Sequence, residues 1–312
     1  MKDDNNKKVA IIGTGFVGMS CAYALLNQNA CDELVLIDIN ESKAKGEAMD
    51  LNHSLAFSPA EMKIYYGRYE HCTDADIIVI AAGVNQKEGE SRIDLLKRNL
   101  KVFESIIEPV VKTGFSGIFL IATNPVDIMT QLTLYLSGFE PNRVIGTGTS
   151  LDTARLRYLL GHYFTISPKN IHAYVMGEHG DSEMIPWSQA MVGTKPILSV
   201  CRRHEDLKII GNEVKFAAQE IIKAKNATYY GIGMALVRII KAILNNENSI
   251  ITVSAYLNGF YGENDLYVGV PSIINRKGIS DVVELELTPN ELDRFKRSCV
   301  FLKDTFNKII NE

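Results

Sequence analysis

Residues 8–18 read KVAIIGTGFVG, a short apolar run that enters three glycines, Gly13, Gly15 and Gly18. A helical pattern follows, and a second apolar run, residues 34–37, ends at Asp38, twenty residues after Gly18. A strand, a glycine turn, a helix and a strand that ends in an acid form a dinucleotide-binding arrangement, because glycines let the backbone approach a pyrophosphate at the helix N-terminus. The carboxylate of Asp38 can accept hydrogen bonds from ribose hydroxyls and would repel a 2′-phosphate. The stretch therefore predicts an NAD site.

Further apolar runs extend the same sheet. Residues 76–82 and 117–122 are typical of strands that are buried on both faces of a parallel sheet. We therefore predict an α/β fold, with a doubly wound parallel (Rossmann) sheet at residues 1–148 and a mixed α+β substrate domain at residues 149–312. Ligands bind beyond the carboxyl ends of such strands. The residues expected to line that crevice are Gly83, Asn124 and Thr147.

Composition excludes several classes of protein. The chain has 312 residues, of which 46% are hydrophobic and 22% charged, and its net charge of -4 argues against a nucleic-acid partner. Its N-terminus is polar, and no apolar run reaches the length of a membrane span. Five scattered cysteines without a Cys-x-x-Cys pair predict buried thiols in a reducing compartment, with no metal site. We expect a cytoplasmic protein.

The second half alternates long helices and strands. Helical spacing predicts helices near residues 151–163, 204–225, 229–244 and 289–310, with strands at 249–257 and 266–274. A further strand is predicted to contain His172 and to end at a Gly-Glu-His-Gly-Asp turn that carries His179. The flanking glycines allow a histidine to face a pocket, where its ordinary pKa near 6.5 suits proton transfer. The alternative interpretation is a surface histidine on a polar turn.

Two charged residues open the helix that follows the boundary. Asp152 and Arg155 are three residues apart and so share a helix face. They either form an ion pair at the helix surface or serve a pocket. In the pocket, Asp152 would orient the imidazole of His179, and Arg155 would bind a substrate carboxylate with two hydrogen bonds.

The segment at residues 84–92 is polar, contains a glycine and follows a buried strand. This pattern is typical of a mobile lid, and also of an ordinary solvated loop. As a lid it would carry Gln86 and Arg92 to the substrate on closure.

The chain resembles NAD-dependent L-lactate dehydrogenases of the bacterial type, from Gly13 to the C-terminal helix. Malate dehydrogenases and broader 2-hydroxy acid dehydrogenases share this family. Five motifs carry the resemblance: Gly-Thr-Gly-Phe-Val-Gly, Asn-Gln-Lys-Glu-Gly-Glu-Ser-Arg, Thr-Asn-Pro-Val-Asp, Leu-Asp-Thr-Ala-Arg and Gly-Glu-His-Gly-Asp-Ser.

The resemblance implies a role for each matching residue. His179 would donate the proton with Asp152 as its partner, Arg155 would bind the carboxylate, and Arg92 would polarise the carbonyl. Gln86, Asn124 and Thr228 would complete the substrate site. The implied cofactor contacts, beside the three glycines and Asp38, are Val17, Lys43, Tyr69, Gly83, Val84, Ser105, Ala122, Thr123, Asn124, Thr147 and Ile232. One departure is Asn226, where the family often has glycine.

The implied reaction is the reversible NADH-dependent reduction of pyruvate to L-lactate in fermentative glycolysis, by a homotetramer. The resemblance also implies activation by fructose 1,6-bisphosphate, bound between subunits through Arg157 and His172. Two alternatives stay open: a malate-type or branched-chain 2-hydroxy acid dehydrogenase, and an NAD-binding protein without turnover. Binding NAD would not require His179, Asp152, Arg155 or Arg92, so their joint presence favours an enzyme.

Overall fold

The computed structural model describes residues 6–84 and 92–310. In the first half, strands and helices alternate as predicted. The elements are β1 (Lys8–Ile12), α1 (Phe16–Asn27), β2 (Glu33–Ile37), α2 (Glu41–Ser54), β3 (Lys63–Tyr66), β4 (Ile77–Ile80), α3 (Arg92–Lys112), β5 (Ile118–Ile121), α4 (Val126–Ser137) and β6 (Val144–Gly146).

The parallel strands lie in the order β3-β2-β1-β4-β5-β6. Strand β1 lies between β2 and β4. The chain first adds β2 and β3 on one side of β1 and then crosses over to add β4, β5 and β6 on the other side. This change of direction opens a crevice at the carboxyl ends of β1 and β4. All residues of β1, β2, β4 and β5 are buried, in keeping with their continuous apolar sequences. The prediction of a doubly wound parallel sheet is confirmed.

The second half continues the same sheet and adds a smaller one. Its elements are α5 (Ser150–Phe164), β7 (Ile171–His172), β8 (Met191–Val192), β9 (Lys195–Pro196), α6 (Ile197–Val200), α7 (His204–Lys225), α8 (Tyr230–Leu244), β10 (Ser249–Asn258), β11 (Asn264–Asn275), β12 (Gly278–Val282) and α9 (Pro289–Ile310). Strand β10 pairs with β6 through Ser254 and Gly146, and β11 and β12 follow it as antiparallel strands. The mixed α+β character predicted for this half is confirmed.

The prediction of a strand that runs from His172 to the His179 turn is wrong in its extent. Strand β7 ends at His172, and only two isolated bridges follow, from Met176 to Met184 and from Gly177 to Gly269. The apolar residues of this stretch are buried by packing, so the alternating pattern marks burial here without a continuous ladder.

Burial agrees with the composition of the chain. All five cysteines are buried, as predicted. Across residues 6–84 and 92–310, no helix combines the length and the apolar character that crossing a membrane requires.

The turn after β1 depends on a glycine at Gly13. Its φ is +102°, and a Cβ atom there would lie 2.6 Å from the backbone nitrogen of Ala82, just beyond β4. A side chain at this position would therefore meet both backbone strain and a steric clash. A Cβ atom on Gly15, by contrast, would meet nothing within 4 Å.

We predict that Gly13→Ala lowers the thermal unfolding midpoint by about 5–10 °C, because the substitution combines a disfavoured φ with overpacking. Gly15→Ala is the matched control and should lower it by at most about 2 °C. Differential scanning calorimetry on both variants measures the difference. Equal midpoints for the two variants would show that the close approach to Ala82 does not constrain the turn.

Candidate active site

A single buried carboxylate joins the two charged candidates of the second half. Asp152 lies in the first turn of α5, and its Oδ2 is 2.6 Å from Nδ1 of His179. Its other oxygen, Oδ1, accepts a 2.8 Å hydrogen bond from Nη1 of Arg155. The two residues therefore form an ion pair on one helix face, but the pair is not at the surface, since the side chains of Arg155 and Asp152 are 13% and 3% exposed, and Asp152 also bonds to His179.

This arrangement fixes the charge of each group. Burial alone would raise the pKa of Asp152, but the neighbouring His179 and Arg155 lower it below its ordinary value. Burial would likewise lower the pKa of His179, but the charge and hydrogen bond of Asp152 outweigh it and raise the pKa to about 9. The imidazole is thus positively charged at neutral pH. With Nδ1 held by Asp152, Nε2 is the nitrogen that can face a substrate.

Arg155 keeps most of its donors for another partner. Its side chain is 13% exposed, and only Nη1 bonds to Asp152. A guanidinium has five N–H groups, so the remaining edge can bind a carboxylate through two parallel hydrogen bonds.

Beneath His179 lies an acid that the sequence analysis did not single out. Asp127, in the first turn of α4, is 2% exposed and accepts a 2.8 Å hydrogen bond from the backbone nitrogen of His179. The hydroxyl of Ser254, on β10, donates to its other oxygen at 2.6 Å. An aspartate in the first turn of a helix is common because the helix dipole favours it there. The motif therefore gave no signal of these long-range contacts.

Two further acids surround the turn and were also missed. A carboxylate oxygen of Glu183, a carboxylate oxygen of Asp152 and a ring nitrogen of His179 lie within 4.8 Å of one another. Burial is the main cause that raises the pKa of Glu183, and the charge of Asp152 is the second. Glu178 is 7% exposed and accepts a 2.6 Å hydrogen bond from the hydroxyl of Ser182. The His179 turn is thus held by a buried polar network as well as by its glycines.

Asp38, predicted to contact the ribose, directly follows β2. Oδ2 of Asp38 accepts hydrogen bonds from the backbone nitrogen and the hydroxyl of Thr14, at 2.7 and 2.9 Å, and Oδ1 accepts one from the nitrogen of Asn40 at 2.9 Å. Burial raises the pKa of Asp38, but these bonds and the charge of Lys43 lower it overall. Asp38 is therefore an ionised carboxylate at the edge of the crevice.

The start of α1 is open to a ligand. Its N-cap, Gly15, offers no side-chain hydrogen bond to the first amides of the helix, and the space in front of Gly15 is free. Gly18 packs so close to Gly13 that a Cβ atom would lie 2.0 Å from the Gly13 carbonyl oxygen. Free helix N-terminal amides and an ionised acid after the second strand fit the pyrophosphate and ribose of NAD.

A buried asparagine connects the loops beyond β4 and β5. Oδ1 of Asn99, on α3, accepts a 2.9 Å hydrogen bond from the nitrogen of Val84, and its Nδ2 lies 3.5 Å from the carbonyl oxygen of Asn124. Gly83 packs against Thr123 in the same place, since a Cβ atom would lie 2.6 Å from that side chain. The crevice residues after these two strands are thus brought together.

The remaining cofactor candidates differ in burial and in hydrogen bonding. Tyr69 is half-buried, and the charge of Asp38 acts on it. The hydroxyl of Ser105 donates to its own helix, at the carbonyl of Val102. The nitrogen of Thr147 donates to Ile121 at 2.9 Å. The others, half-buried against the core, are Val17, Ala122 and Ile232.

Asn226, the residue that departs from the family pattern, ends α7 two positions before Thr228. Asn226 ends α7 with φ +67°, the left-handed conformation that glycine favours and asparagine tolerates. The departure from glycine is therefore accommodated, and Thr228 is half-buried between α7 and α8.

Gln86, in the segment predicted to be a lid or a solvated loop, lies outside the described residues, and Arg92 is the first residue of α3.

Of the two effector candidates, Arg157 contacts the backbone that follows His172. Nε of Arg157 donates a 3.0 Å hydrogen bond to the carbonyl oxygen of Ala173, the residue after His172. The guanidinium carbon of Arg157 lies 5.2 Å from the ring centre of Tyr174, and His172 is exposed. Burial lowers the pKa of Arg157.

Comparisons with known proteins agree along the whole chain. Residues 7–146 match the lactate/malate dehydrogenase NAD binding domain, and residues 149–312 match the alpha/beta C-terminal domain of the same family. The chain is 55% identical to the L-lactate dehydrogenase of Geobacillus thermodenitrificans, over 97% of each chain. It is 53% identical to that of Geobacillus stearothermophilus, again over 97% of each.

Solved structures show the same similarity. A lactate dehydrogenase from a Medee basin deep-sea metagenome library has a TM-score of 0.96 and 50% identity, covering 98% of this chain and 99% of its own. The minor L-lactate dehydrogenase of Enterococcus mundtii, in its ligands-bound form, has a TM-score of 0.96 and 47% identity over the same shares. Together with the two family matches, these similarities show that the chain belongs to the lactate/malate dehydrogenase family.

Proposed function

We propose that this chain is an NAD-dependent L-lactate dehydrogenase, which reversibly reduces pyruvate to L-lactate in fermentative glycolysis. The observation that carries the proposal is the carboxylate of Asp152, which bonds to His179 on one oxygen and Arg155 on the other. It places a protonated imidazole next to a guanidinium, and a 2-oxo acid needs a proton donor for its carbonyl and a cation for its carboxylate.

The chain's residues perform the acid–base part of the reaction. Arg155 binds the substrate carboxylate and fixes its orientation. His179 donates its Nε2 proton to the carbonyl oxygen as the alcohol forms, and takes the proton back in the reverse direction. Asp152 stays ionised throughout and compensates the imidazolium charge.

NADH supplies the hydride when it is bound. Gly13, Gly15 and Gly18 would hold its pyrophosphate at the start of α1, and Asp38 would accept hydrogen bonds from its ribose. Asn124 would reach both cofactor and substrate. The other proposed contacts are Val17, Lys43, Tyr69, Gly83, Val84, Ser105, Ala122, Thr123, Thr147 and Ile232.

The lid would complete the substrate site. Arg92 would polarise the carbonyl, Thr228 would form part of the pocket wall, and Gln86 would face the substrate's methyl group. We place the boundary between the cofactor and substrate domains at residues 148 and 149. A cytoplasmic location belongs to the same proposal, and five buried thiols support a reducing compartment.

The proton donor can be tested by its pH dependence. Pyruvate reduction needs the protonated imidazole, so kcat/KM should fall as pH rises through the His179 pKa, with a midpoint above 6.5 and toward 9. Lactate oxidation needs the neutral imidazole and should rise over the same range. Asp152→Asn should move both midpoints to lower pH, because it removes the charge that favours the imidazolium. Unchanged midpoints in that variant would contradict the assigned pair.

His179→Ala tests the same role by loss. It should lower kcat by roughly 10²–10⁴-fold, the usual contribution of a general acid. The affinity for NADH, followed by fluorescence titration, should stay within about twofold of the unmutated value. Near-normal turnover would rule out His179 as the donor.

Substrate choice tests the lactate assignment against a malate-type activity. Gln86 offers no charge to a second carboxylate, and burying one unpaired costs roughly several kcal/mol. We expect kcat/KM for pyruvate to exceed that for oxaloacetate, and Gln86→Arg to move the preference toward oxaloacetate. Assays of NADH loss against a panel of 2-oxo acids measure both. Equal values in the unmutated enzyme would favour a broader dehydrogenase, and no turnover with any acid would favour a non-catalytic NAD-binding protein.

We also propose a homotetramer activated by fructose 1,6-bisphosphate through Arg157 and His172. The position of Arg157 supports the proposal, since its side chain bonds to the backbone of Ala173, the residue after His172. Guanidinium and imidazolium groups both bind phosphate oxygens well.

The effector proposal predicts a dependence on pH. Phosphate favours the protonated imidazole, so millimolar bisphosphate should lower the KM for pyruvate more at pH 6 than at pH 8. His172→Ala should weaken this response, whereas His162→Ala, which removes an exposed imidazole at the end of α5, should not. If the bisphosphate leaves the pyruvate titration curve unchanged at both pH values, the proposed effector site is wrong, and the catalytic assignment is unaffected.

A further inference from the structure

A second buried acid holds the catalytic turn from below. Asp127 connects three elements of the fold: its own helix α4, the backbone amide of His179 and the hydroxyl of Ser254 on β10. The two hydrogen bonds measure 2.8 and 2.6 Å, and the side chains of Asp127 and Ser254 are 2% and 0% exposed. Each oxygen of the Asp127 carboxylate therefore accepts a hydrogen bond from within the protein.

Asp127 and Asp152 contact His179 in different ways. Asp152 bonds to the imidazole, while Asp127 bonds to the backbone from which the imidazole projects. We infer that Asp127 is a positioning residue for the proposed reaction: it fixes the backbone of His179 and supplies a second buried negative charge that favours its protonated form. This inference rests on the proposed function.

The state of Asp127 supports a role for its charge. Burial raises its pKa to about 6, although the hydrogen bonds from Ser254 and His179 oppose the rise. Asp127 is therefore mainly ionised at pH 7 and above. Its charge then raises the pKa of His179, although by less than the charge of Asp152 does.

Other charged groups also face this region. Asp152 and Arg155 approach from α5, and Glu183 and Glu178 lie on the turn itself. Lys215, on α7, faces Glu183. On α9, the thiol of Cys299 lies close enough to Asp127 for that charge to help raise its pKa. None of these groups bonds to the amide of His179, so Asp127 can be tested separately.

Asp127→Asn is the decisive variant, because it keeps the size of the side chain and an oxygen that can accept from the His179 amide, but removes the charge. The midpoint of kcat/KM for pyruvate against pH should move down by roughly one unit, since a nearby opposite charge shifts a pKa by about that much or more. At pH values above both midpoints, activity should fall by about tenfold. Binding of NADH should stay within about twofold.

Glu291→Gln is the matched control. Glu291 is 9% exposed and, like Asp127, accepts hydrogen bonds from a serine hydroxyl and a backbone amide, both of Ser188, at 2.6 and 3.0 Å. A comparable loss of stability with an unchanged pH midpoint is expected for this variant. If Asp127→Asn behaves in the same way, the acid is structural only and the inference is overturned.

A measurement on the unmutated chain covers the case in which Asp127→Asn does not fold. In protein labelled with ¹⁵N-histidine, the backbone amide signal of His179 should shift with an inflection near pH 6, as the carboxylate that accepts its hydrogen bond is protonated. An amide signal that stays flat from pH 5 to pH 8 contradicts the inference. This readout needs no turnover, so it also separates failure of the inference from failure of the proposed function.

Discussion

The 2.6 Å contact between Asp152 and His179 is the interaction on which the site depends. A carboxylate that is 2% exposed is costly to ionise, and an unpaired charge at that depth would take up a proton instead. Here each oxygen meets a cationic partner, an imidazole on one side and a guanidinium on the other. The three groups therefore stabilise one another's charged forms, and removing one changes the protonation of the others.

The fold supplies this contact from distant parts of the chain. Asp152 comes from the first turn of α5, directly after the last parallel strand, and His179 comes from a turn that is bridged to β11 through Gly177 and Gly269. Strand β10 extends the parallel sheet into the second half and places Ser254 beneath the turn. The groups of the proposed proton relay thus come from the first turn of α5 and from a turn that hydrogen bonds connect to the sheet, which favours precise placement over adaptability.

Local sequence predicted much of this architecture, for identifiable reasons. Helices α7 and α9 begin and end as their helical spacing indicated, because their apolar faces and flanking residues act within a few turns. The strands β4 and β5 are shorter than their apolar runs, because the residues beyond them leave the sheet to line the crevice. The stretch before His179 misled for a related reason. Its alternation reflects burial, and its two bridges join Met176 to Met184 nearby in the chain and Gly177 to Gly269, more than ninety positions away.

What local pattern could not predict is the role of α4. Asn124, at the edge of the sheet that would bind the cofactor, lies three positions before Asp127, whose carboxylate accepts a hydrogen bond from the backbone of His179. The short segment from Asn124 to the first turn of α4 therefore connects the loop that would contact the cofactor with the turn that would carry the proton donor. Hydride transfer and proton transfer require the two centres to be held at a constant separation, because a misplacement of about 1 Å can cost roughly a hundredfold in rate. This short segment, with the Asn99 contact at one end and the Asp127 hydrogen bond at the other, favours that constancy. The acid in the first turn of α4 thus does more than complement a helix dipole, since it ties the sheet that would bind the cofactor to the residue that would move the proton.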